Sequence, residues 1–386
     1  MHLPIGNPVA PDVLRSFSTA VCRRMGADTD VATEVADHLV DADLAGHPSH
    51  GVMRLTQYFD EWERGDLAPQ ARPRLLRDGP GTALFDAARG FGHFSTMVAS
   101  QWAAAQAERQ GVAIAAVRHS GHTGRLGTYA EHLARRGLVA IVLVGAAGHS
   151  VGAAVLPGTS TRFLAANPWA IGIPAERRAP VVVDVSTTML AEGKITVARE
   201  NGQSLPPGCI VDADARDSRA PEEYFNGGGL LPLGGHTAGH KGFGLGLAAA
   251  LIGSLAMIGD SEPTLAGSQI PTGADPRGRA GGVAVIVVNP AALGDGALYA
   301  HQVAQTATAV GRAAVNASHV QVPGAPEAAA RQRHTHGIRL ADATHRALQE
   351  LGTRLGIATG YGRMPSRRRG TENSSSTEET DHDRLG

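Results

Sequence analysis

The hydrophobic period of this chain changes twice along its length, and that order restricts the fold more than any single motif does. From residue 11 to about residue 63 apolar side chains recur at helical spacing, as at Val31, Val35, Leu39 and Ala42, with Asp28 or Asp30 placed to cap a helix. Between about 74 and 289 the pattern becomes compact apolar runs separated by amphipathic stretches. Residues 112–117, 138–144, 181–185 and 283–288 read as strands, and 95–110 reads as a helix ended by Gly111. The helical period returns over about 294–317 and again over 340–355.

Strands alternating with helices predict a layered α/β sheet domain. Its position predicts an insertion between two helical segments that pack on each other. The expected division is a first helical segment at 1–75, an α/β domain at 76–293, a second helical segment at 294–362 and a tail at 363–386. The tail holds Arg367-Arg368-Arg369 and a serine run and is expected to be disordered. With 386 residues the chain has interior enough to fold without disulfides or structural metals.

Composition narrows the function classes. The 35 basic side chains balance 36 acidic ones, so no net field favours nucleic acid or an anionic membrane as partner. Cys22 and Cys209 are too few for a disulfide framework or a cysteine-rich zinc site, which fits a reducing, cytoplasmic setting. The N-terminus lacks a basic region followed by an apolar run, and no stretch of eighteen residues is apolar throughout; a protein that is neither exported nor membrane-bound is expected.

Two short stretches concentrate titratable groups. One contains Asp43, Gly46, His47, Ser49, His50, Gly51 and Arg54; the other contains His119, Ser120, Gly121, His122, Gly124, Arg125 and Tyr129. Arginine clamps a carboxylate by two parallel hydrogen bonds and histidine titrates near neutral pH, so both stretches point to acid-base chemistry on a carboxylate substrate. If Gly51 opens a helix, Arg54 and Tyr58 share one face with His50 a turn before them. The plainer alternative has His47 and His50 capping that helix while Arg54 pairs with a surface acid. His122 follows a strand and precedes a helix at about 126–136, the place where α/β proteins put ligands, and its flanking glycines admit close approach. The alternative there is a turn with solvated histidines.

Three further loops are candidates for a phosphate-bearing ligand. They are Asn167-Pro168, Asp184-Val185-Ser186-Thr187 at a strand end, and 231–235 leading to Lys241-Gly242 at a helix start. The Gly244, Gly246, Ala249 spacing follows no strand and reads as close helix packing rather than a dinucleotide fingerprint. Short histidine spacings at 47/50, 119/122 and 236/240 lack the convergent third ligand of a zinc site, so no metal is expected.

In combination and order these segments resemble the malate/L-lactate/L-sulfolactate dehydrogenase family, which also holds ureidoglycolate dehydrogenase, hydroxycarboxylate dehydrogenase B-like enzymes and the cyclic imine reductases. The likeness runs over about 12–357. Its anchors are Asp43-Leu44-x-Gly46-His47-x-Ser49-His50-Gly51 with Arg54 and Tyr58, Ser120-x-His122-x-Gly124 with Tyr129, Asn167-Pro168, Asp184-x-Ser186, Pro232-Leu233-Gly234-Gly235 with Lys241-Gly242, and Pro323-Gly324.

The resemblance implies hydride transfer between NAD or NADP and C2 of a 2-hydroxy or 2-oxo acid, in a non-Rossmann α/β fold within a discontinuous helical domain, as a cytoplasmic homodimer. It implies His122 or His50 as proton carrier, with Ser49 and Asp184 relaying in the imine-reducing branch. Arg54 would clamp the substrate carboxylate while His50 and Tyr58 orient it. Cofactor contacts fall to Gly124, Arg125, Asn167, Pro168, Asp184, Val185, Ser186, Lys241, Gly242, Pro323 and Gly324. His122-Thr123-Gly124-Arg125-Leu126-Gly127 replaces the His-Phe-Gly-Ala of many relatives and places Arg125 near cofactor or substrate. Gly145-Ala146-Ala147, Ala165-Ala166 and the missing acid directly after Gly324 are further departures. A Δ1-cyclic imine 2-carboxylate reductase and a catalytically silent nucleotide-binding homologue are the alternative readings.

Overall fold

A computed structural model describes residues 8–148, 152–200, 202–259, 281–313, 321–335 and 337–357. The tail expected to be disordered lies outside the described residues. The opening segment forms α1 (Pro11–Arg24), α2 (Thr29–Leu44) and, after a 3-10 turn at Pro48–His50, α3 (Arg54–Glu63). Asp28 takes the N-cap position of α2 without a capping hydrogen bond. Its carboxylate and that of Asp30 accept from Arg72 instead, at 3.1 Å and at 3.0 and 2.5 Å.

The middle of the chain runs β1 (Arg74–Asp78), β2 (Thr82–Asp86), α4 (Gly92–Gln110), β3 (Val112–Arg118), α5 (Leu126–Arg135) and β4 (Val139–Ala146). It continues through β5 (Ala154–Val155), β6 (Arg162–Leu164), β7 (Trp169–Ile173), β8 (Val181–Val185), α6 (Glu192–Glu200), β9 (Ile210–Val211), β10 (Asp217–Ser218), α7 (Pro221–Phe225) and β11 (Gly229–Leu230). Then come α8 (Gly235–Gly253), β12 (Gly281–Val288), α9 (Gly296–Ala313), α10 (Ala325–Arg333) and α11 (Asp342–Leu355).

The fold is mixed α/β. Seven strands form one sheet in the order β1-β2-β3-β12-β4-β7-β8. Its pairs are antiparallel except β2 with β3, which α4 joins as a crossover. β12 sits between β3 and β4, with Val285 opposite Ala115 on one side and Val142 on the other. A strand enclosed on all sides gains from apolar side chains on both faces, which is why it reads as an unbroken apolar run. One face of the sheet packs on α4 and α5 through Ala104, Tyr129 and Leu133, the other on α8 through Leu143, Ala249 and Ala284. A Cβ on Gly145 would overlap the Ala249 carbonyl, so α8 lies directly on the β4 backbone; within α8 Gly242 and Gly246 serve packing, against Leu233 and Thr187, while Gly244 borders open space. A second sheet of two- and three-residue strands, β10-β9-β11-β5-β6, is cored by Ile195, Ile210, Tyr224 and Leu230.

The two ends of the chain share a core: Leu14, Val21, Leu39 and Leu55 pack with Ile338, Leu348 and Leu351. Val9 and Ile338 exchange two backbone hydrogen bonds of 2.9 Å. α9 does not join that core. Arg178 donates to the Ala304 carbonyl and to Thr308 Oγ1 at 3.3 and 2.5 Å, and His301 bonds Glu176 at 2.7 Å, so α9 is held to the turn before β8.

Candidate active site

The first histidine stretch is shaped by a buried carboxylate. Asp43, in the last turn of α2, accepts the Val52 N–H at 2.8 Å and draws the 46–52 loop back onto the helix. A Cβ on Gly51 would overlap that carboxylate, so only glycine fits there. Burial lifts the Asp43 carboxyl to about 7 against the opposing effect of the Val52 N–H. The helix opens at Arg54, not Gly51; Ser49 and His50 belong to the preceding 3-10 turn. Their side chains meet, Ser49 Oγ standing 3.1 Å from His50 Nδ1.

The second stretch is pinned along its length. His119 Nδ1 lies 3.2 Å from Asp86 Oδ1, the Gly121 N–H donates to the Gly90 carbonyl at 3.0 Å, and Tyr129 Oη donates to the Thr123 carbonyl at 2.5 Å. Gly124 takes φ of +69°, and a Cβ there would stand 2.5 Å from His38 Nε2 and 2.7 Å from His93 Cδ2. The glycine is thus required twice, by conformation and by space.

These constraints bring both stretches to one place. The His50 and His122 rings stack at 5.7 Å between centroids and 20° between planes. Tyr58, on α3 and fully buried, sets its hydroxyl 2.7 Å from His122 Nδ1 and 3.2 Å from His93 Nε2. Burial first, then the positive charge of Arg54 and the neighbouring imidazoles of His93 and His50, hold His122 well below the ordinary histidine range. Burial, Arg54, His47 and Arg125 bring His50 down to about 4. Both rings are neutral at neutral pH, with a nitrogen open to a proton but weak as bases, so an effective base here needs a partner that stabilises the imidazolium.

Arg54 is part-buried beside them. Its Nε donates to the Ser49 carbonyl and its Nη1 to Gln57 Oε1, both at 2.5 Å, which fixes the plane of the guanidinium. Nη2 makes no hydrogen bond among the described residues and faces the start of α6, 3.7 Å from where a Cβ of Gly193 would lie. The site thus offers a cationic donor at one edge and stacked imidazoles at the other.

Asp184 and Arg125 take other places than the sequence suggests. Asp184 accepts the Gly127 N–H at 2.7 Å and lies 3.7 Å from Arg125 Nε; no hydrogen bond joins it to Ser49 among the described residues. Burial raises its carboxyl in spite of Arg125. The Arg125 side chain is 2% exposed and points at Asp41, Glu131 and Asp184, 3.7 to 4.0 Å away.

The remaining loops gather along the end of β8. The Thr187 N–H donates to Ala166 and the Leu233 N–H to Thr187, at 3.0 and 2.9 Å, while Asn167 bridges the Ala146 N–H and the Gly246 carbonyl. Pro323 and Gly324 lie against the start of β8, with the Val182 N–H donating to Pro323 at 3.2 Å. Lys241 is exposed and sits three residues past a break in α8 at Ala238, inside the helix rather than at its first turn. Glu327 has one oxygen on His47 Nε2 at 3.1 Å, and its Oε2 is buried with no hydrogen-bond partner among the described residues. A free acceptor, the exposed apolar side chains of Val185 and Leu233 and an exposed lysine fit the amide, ring and phosphates of a nicotinamide dinucleotide.

His38 and His93 are members of this site that the sequence reading did not name. Both are buried, with ring centroids 4.8 Å apart, and His93 lies 6.0 Å from His122. The signal was present: His38 falls within the Val35, Leu39, Ala42 stripe, and His93 begins a stripe with Met97, Ser100 and Ala104. A polar side chain in a buried helical register is the informative exception.

Comparison with known proteins identifies the family. Residues 9–349 match the family model described as malate/L-lactate dehydrogenase. A malate dehydrogenase from Pyrococcus abyssi is 36% identical over 250 residues, covering 64% of this chain and 68% of the relative. An L-lactate dehydrogenase from Cupriavidus necator is 30% identical over 360 residues, 89% of this chain and 97% of the relative. The solved structure of malate dehydrogenase from Pyrococcus horikoshii superimposes with a TM-score of 0.78 at 26% identity, over 93% of this chain and 98% of that one.

Proposed function

The chain belongs to the malate/L-lactate dehydrogenase family, and on that premise we propose how its residues divide the oxidation of a 2-hydroxy acid and the reverse reduction. The protein is an oxidoreductase acting on 2-hydroxy and 2-oxo carboxylic acids with a nicotinamide cofactor. His122 carries the proton at Nε2, Arg54 binds the substrate carboxylate through Nη2, and His50, held by Ser49, packs over the reacting centre. The observation that supports this choice is the Tyr58 hydroxyl, 2.7 Å from His122 Nδ1. It occupies one ring nitrogen and leaves the other for substrate.

In this reading the cofactor supplies or accepts the hydride at C2 when bound. Lys241 and the start of the helix beyond Ala238 would hold its phosphates, and Val185, Ser186, Gly324 and Glu327 would hold its nicotinamide end. Such a site lies outside the Rossmann arrangement, on the inserted α/β domain bounded by the helical segments. As C2 loses hydride, the substrate hydroxyl loses its proton to His122 Nε2, and the neutral ring becomes an imidazolium. In the reverse direction the imidazolium returns that proton to the forming alkoxide oxygen. Asp184 orders the start of α5 through Gly127 and holds Arg125; it relays no proton here. A cytoplasmic location and a homodimer are part of the same reading, the homodimer supported by exposed Leu251 near the end of α8 and Leu255 and Ile258 just beyond it.

The test is oxidation of NADH and of NADPH against a panel of 2-oxo acids and Δ1-cyclic imines. Turnover of an oxo acid supports the reading. Turnover of the imines alone moves the chain to the imine-reducing branch, and cofactor binding without turnover of any member marks a silent homologue.

A further inference from the structure

Tyr58 lies between two imidazoles, 2.7 Å from His122 Nδ1 and 3.2 Å from His93 Nε2. A phenol has one proton to donate and lone pairs with which to accept. The two contacts are therefore not independent: the hydroxyl donates to one histidine and accepts from the other. Which way it turns decides the tautomer of His122.

The chemistry settles the direction. The ring must hold a bare Nε2 when it takes the substrate proton, which places its own proton on Nδ1. Once protonated, the imidazolium still carries a proton on Nδ1. Both states of the cycle need an acceptor at Nδ1, and that acceptor is the Tyr58 oxygen. The Tyr58 proton then has to go to His93 Nε2. Without that acceptor the phenol donates to His122 Nδ1, fixing the proton on Nε2 and removing the base.

We propose that His93 is a positioning residue for proton transfer: by accepting the Tyr58 hydroxyl proton it turns the phenol oxygen toward His122 and holds His122 in the Nδ1–H form. The role parallels the orienting partner of a catalytic histidine, here supplied by a phenol and a second imidazole instead of a carboxylate. The surroundings make it matter. His122 is faced by His50 from the 3-10 turn, Arg54 from α3 and His93 from α4, and it acts in turn on His38 from α2. Arg54 is the leading charge acting on it and opposes the imidazolium, so the hydrogen bond from Nδ1–H to the Tyr58 oxygen is the contact that favours the charged ring. His93 itself, fully buried and pressed by His38 and His50, stays neutral and able to accept.

The inference rests on the reading of His122 as the proton carrier, and two measurements keep the failures apart. The first needs no turnover. In protein labelled with 15N-histidine, with the His122 signal assigned by its loss in His122→Gln, the ring shifts report the tautomer. The Nδ1–H form is expected; the Nε2–H form, in which His93 donates to Tyr58, overturns the proposal whatever the enzyme's activity. The second compares His93→Phe, which keeps the bulk but removes the acceptor, with His93→Gln, whose amide oxygen restores one. His93→Phe is expected to lower kcat for hydroxy-acid oxidation about 10- to 100-fold with cofactor affinity unchanged. His93→Gln should restore kcat. A folded, cofactor-binding His93→Phe with the wild-type kcat overturns the proposal. If the phenylalanine variant does not fold, Tyr58→Phe read by the same 15N shifts decides, since loss of the Nδ1–H preference is expected there and its persistence refutes the chain.

Discussion

Arg331 holds Asp41 by two parallel hydrogen bonds, Nε to Oδ1 and Nη2 to Oδ2, both 3.0 Å, across 290 residues of sequence. The same guanidinium reaches Glu131 Oε1 and Oε2 at 3.2 and 2.9 Å. One side chain on α10 thus ties α2 to α5 and shares those carboxylates with Arg125, whose guanidinium nitrogens make no hydrogen bond among the described residues. The charges of Asp41, Glu131 and Asp184 balance both arginines, and the cluster joins the terminal helices to the sheet.

Removing Arg331 leaves those carboxylates with Arg125 and, for Glu131, the exposed Arg135. A fully buried pair broken in this way costs about 3–5 kcal/mol, and Arg331 is 24% exposed, so Arg331→Ala should lower the unfolding free energy by about 2 kcal/mol. Lysine keeps the charge but not the planar fork and should recover less than half of the loss. Urea unfolding curves with unchanged slope measure both. A loss below about 0.5 kcal/mol in Arg331→Ala would show that solvent, not the arginine, satisfies the carboxylates.

Gly124→Ala should cost more than any single contact in the cluster. Its φ of +69° disfavours a side chain, and the added methyl would press on His38 Nε2 at 2.5 Å and His93 Cδ2 at 2.7 Å. His38 is enclosed by His93 and Tyr129 and has nowhere to move. A loss of about 3 kcal/mol or more is expected, with activity falling in any folded fraction because His122 shares the displaced loop. Recovery of activity in Gly124→Ala combined with His38→Ala, which opens the needed space, would identify the clash as the cause.

The sequence carried the strands that are apolar on both faces, β3, β4, β8 and β12, and the helix that Gly111 ends, because burial and termination are local properties of the chain. It did not carry the insertion of β12 between β3 and β4, since that pairing joins segments some 140 or more residues apart and leaves no local trace. The second sheet was invisible because strands of two residues have no period to read. At the site, Ser49, His50, Arg54, Tyr58 and His122 were legible from their grouping. His38 and His93 left a fainter signal, one polar ring each in a buried helical stripe with no motif beside it. The surroundings of Arg125 were not legible for a related reason: its carboxylate neighbours come from α2, α5 and β8, and only the fold assembles them.

Acid should unfold this protein early. His38, held near 3 by burial and by Arg125, His50 near 4, and His93 and His122, both held low, are neutral in the folded state. In the unfolded chain each titrates at its ordinary value of about 6.5. Because the folded values are depressed, stability is lost as pH falls below about 6.5. Each histidine contributes up to about 1.4 kcal/mol per pH unit well below that value, so across the two units centred on about 6.5 the four together remove about 5 kcal/mol. Chemical denaturation between pH 7.5 and pH 5.5 measures it. His38→Phe, if folded, should remove about one proton from the slope, and a slope shared by no histidine variant would contradict the burial of neutral rings.

Arg54 and His122 should separate by kinetics. Arg54→Ala removes the free Nη2 that this reading gives to the substrate carboxylate, and about a 100-fold rise in KM with a smaller fall in kcat is expected. His122→Gln should instead lower kcat by about 100- to 10,000-fold at nearly constant cofactor affinity. If His50→Gln alone produces the larger fall in kcat, the proton passes through the other ring of the stacked pair.

Asp43 gives the opposite pH dependence from the histidines, and a single substitution isolates it. Burial raises its carboxyl from 3.8 to about 7 in the folded state, so the folded protein binds the proton more tightly than the unfolded chain does. Stability from this group is complete below about pH 4 and disappears as pH rises through about 7, where a buried carboxylate must carry charge. Asp43→Asn keeps an oxygen for the Val52 N–H and cannot ionise. Both proteins share the histidine effect, which cancels in their difference. The stability of wild type minus that of Asp43→Asn should therefore fall by about 2–3 kcal/mol between pH 5 and pH 8, at roughly 1.4 kcal/mol per pH unit below pH 7. Urea unfolding of both proteins at the two pH values checks this. A difference that is constant with pH would mean that the carboxyl is ionised throughout, and that the 46–52 loop is held by a charged rather than a neutral acceptor.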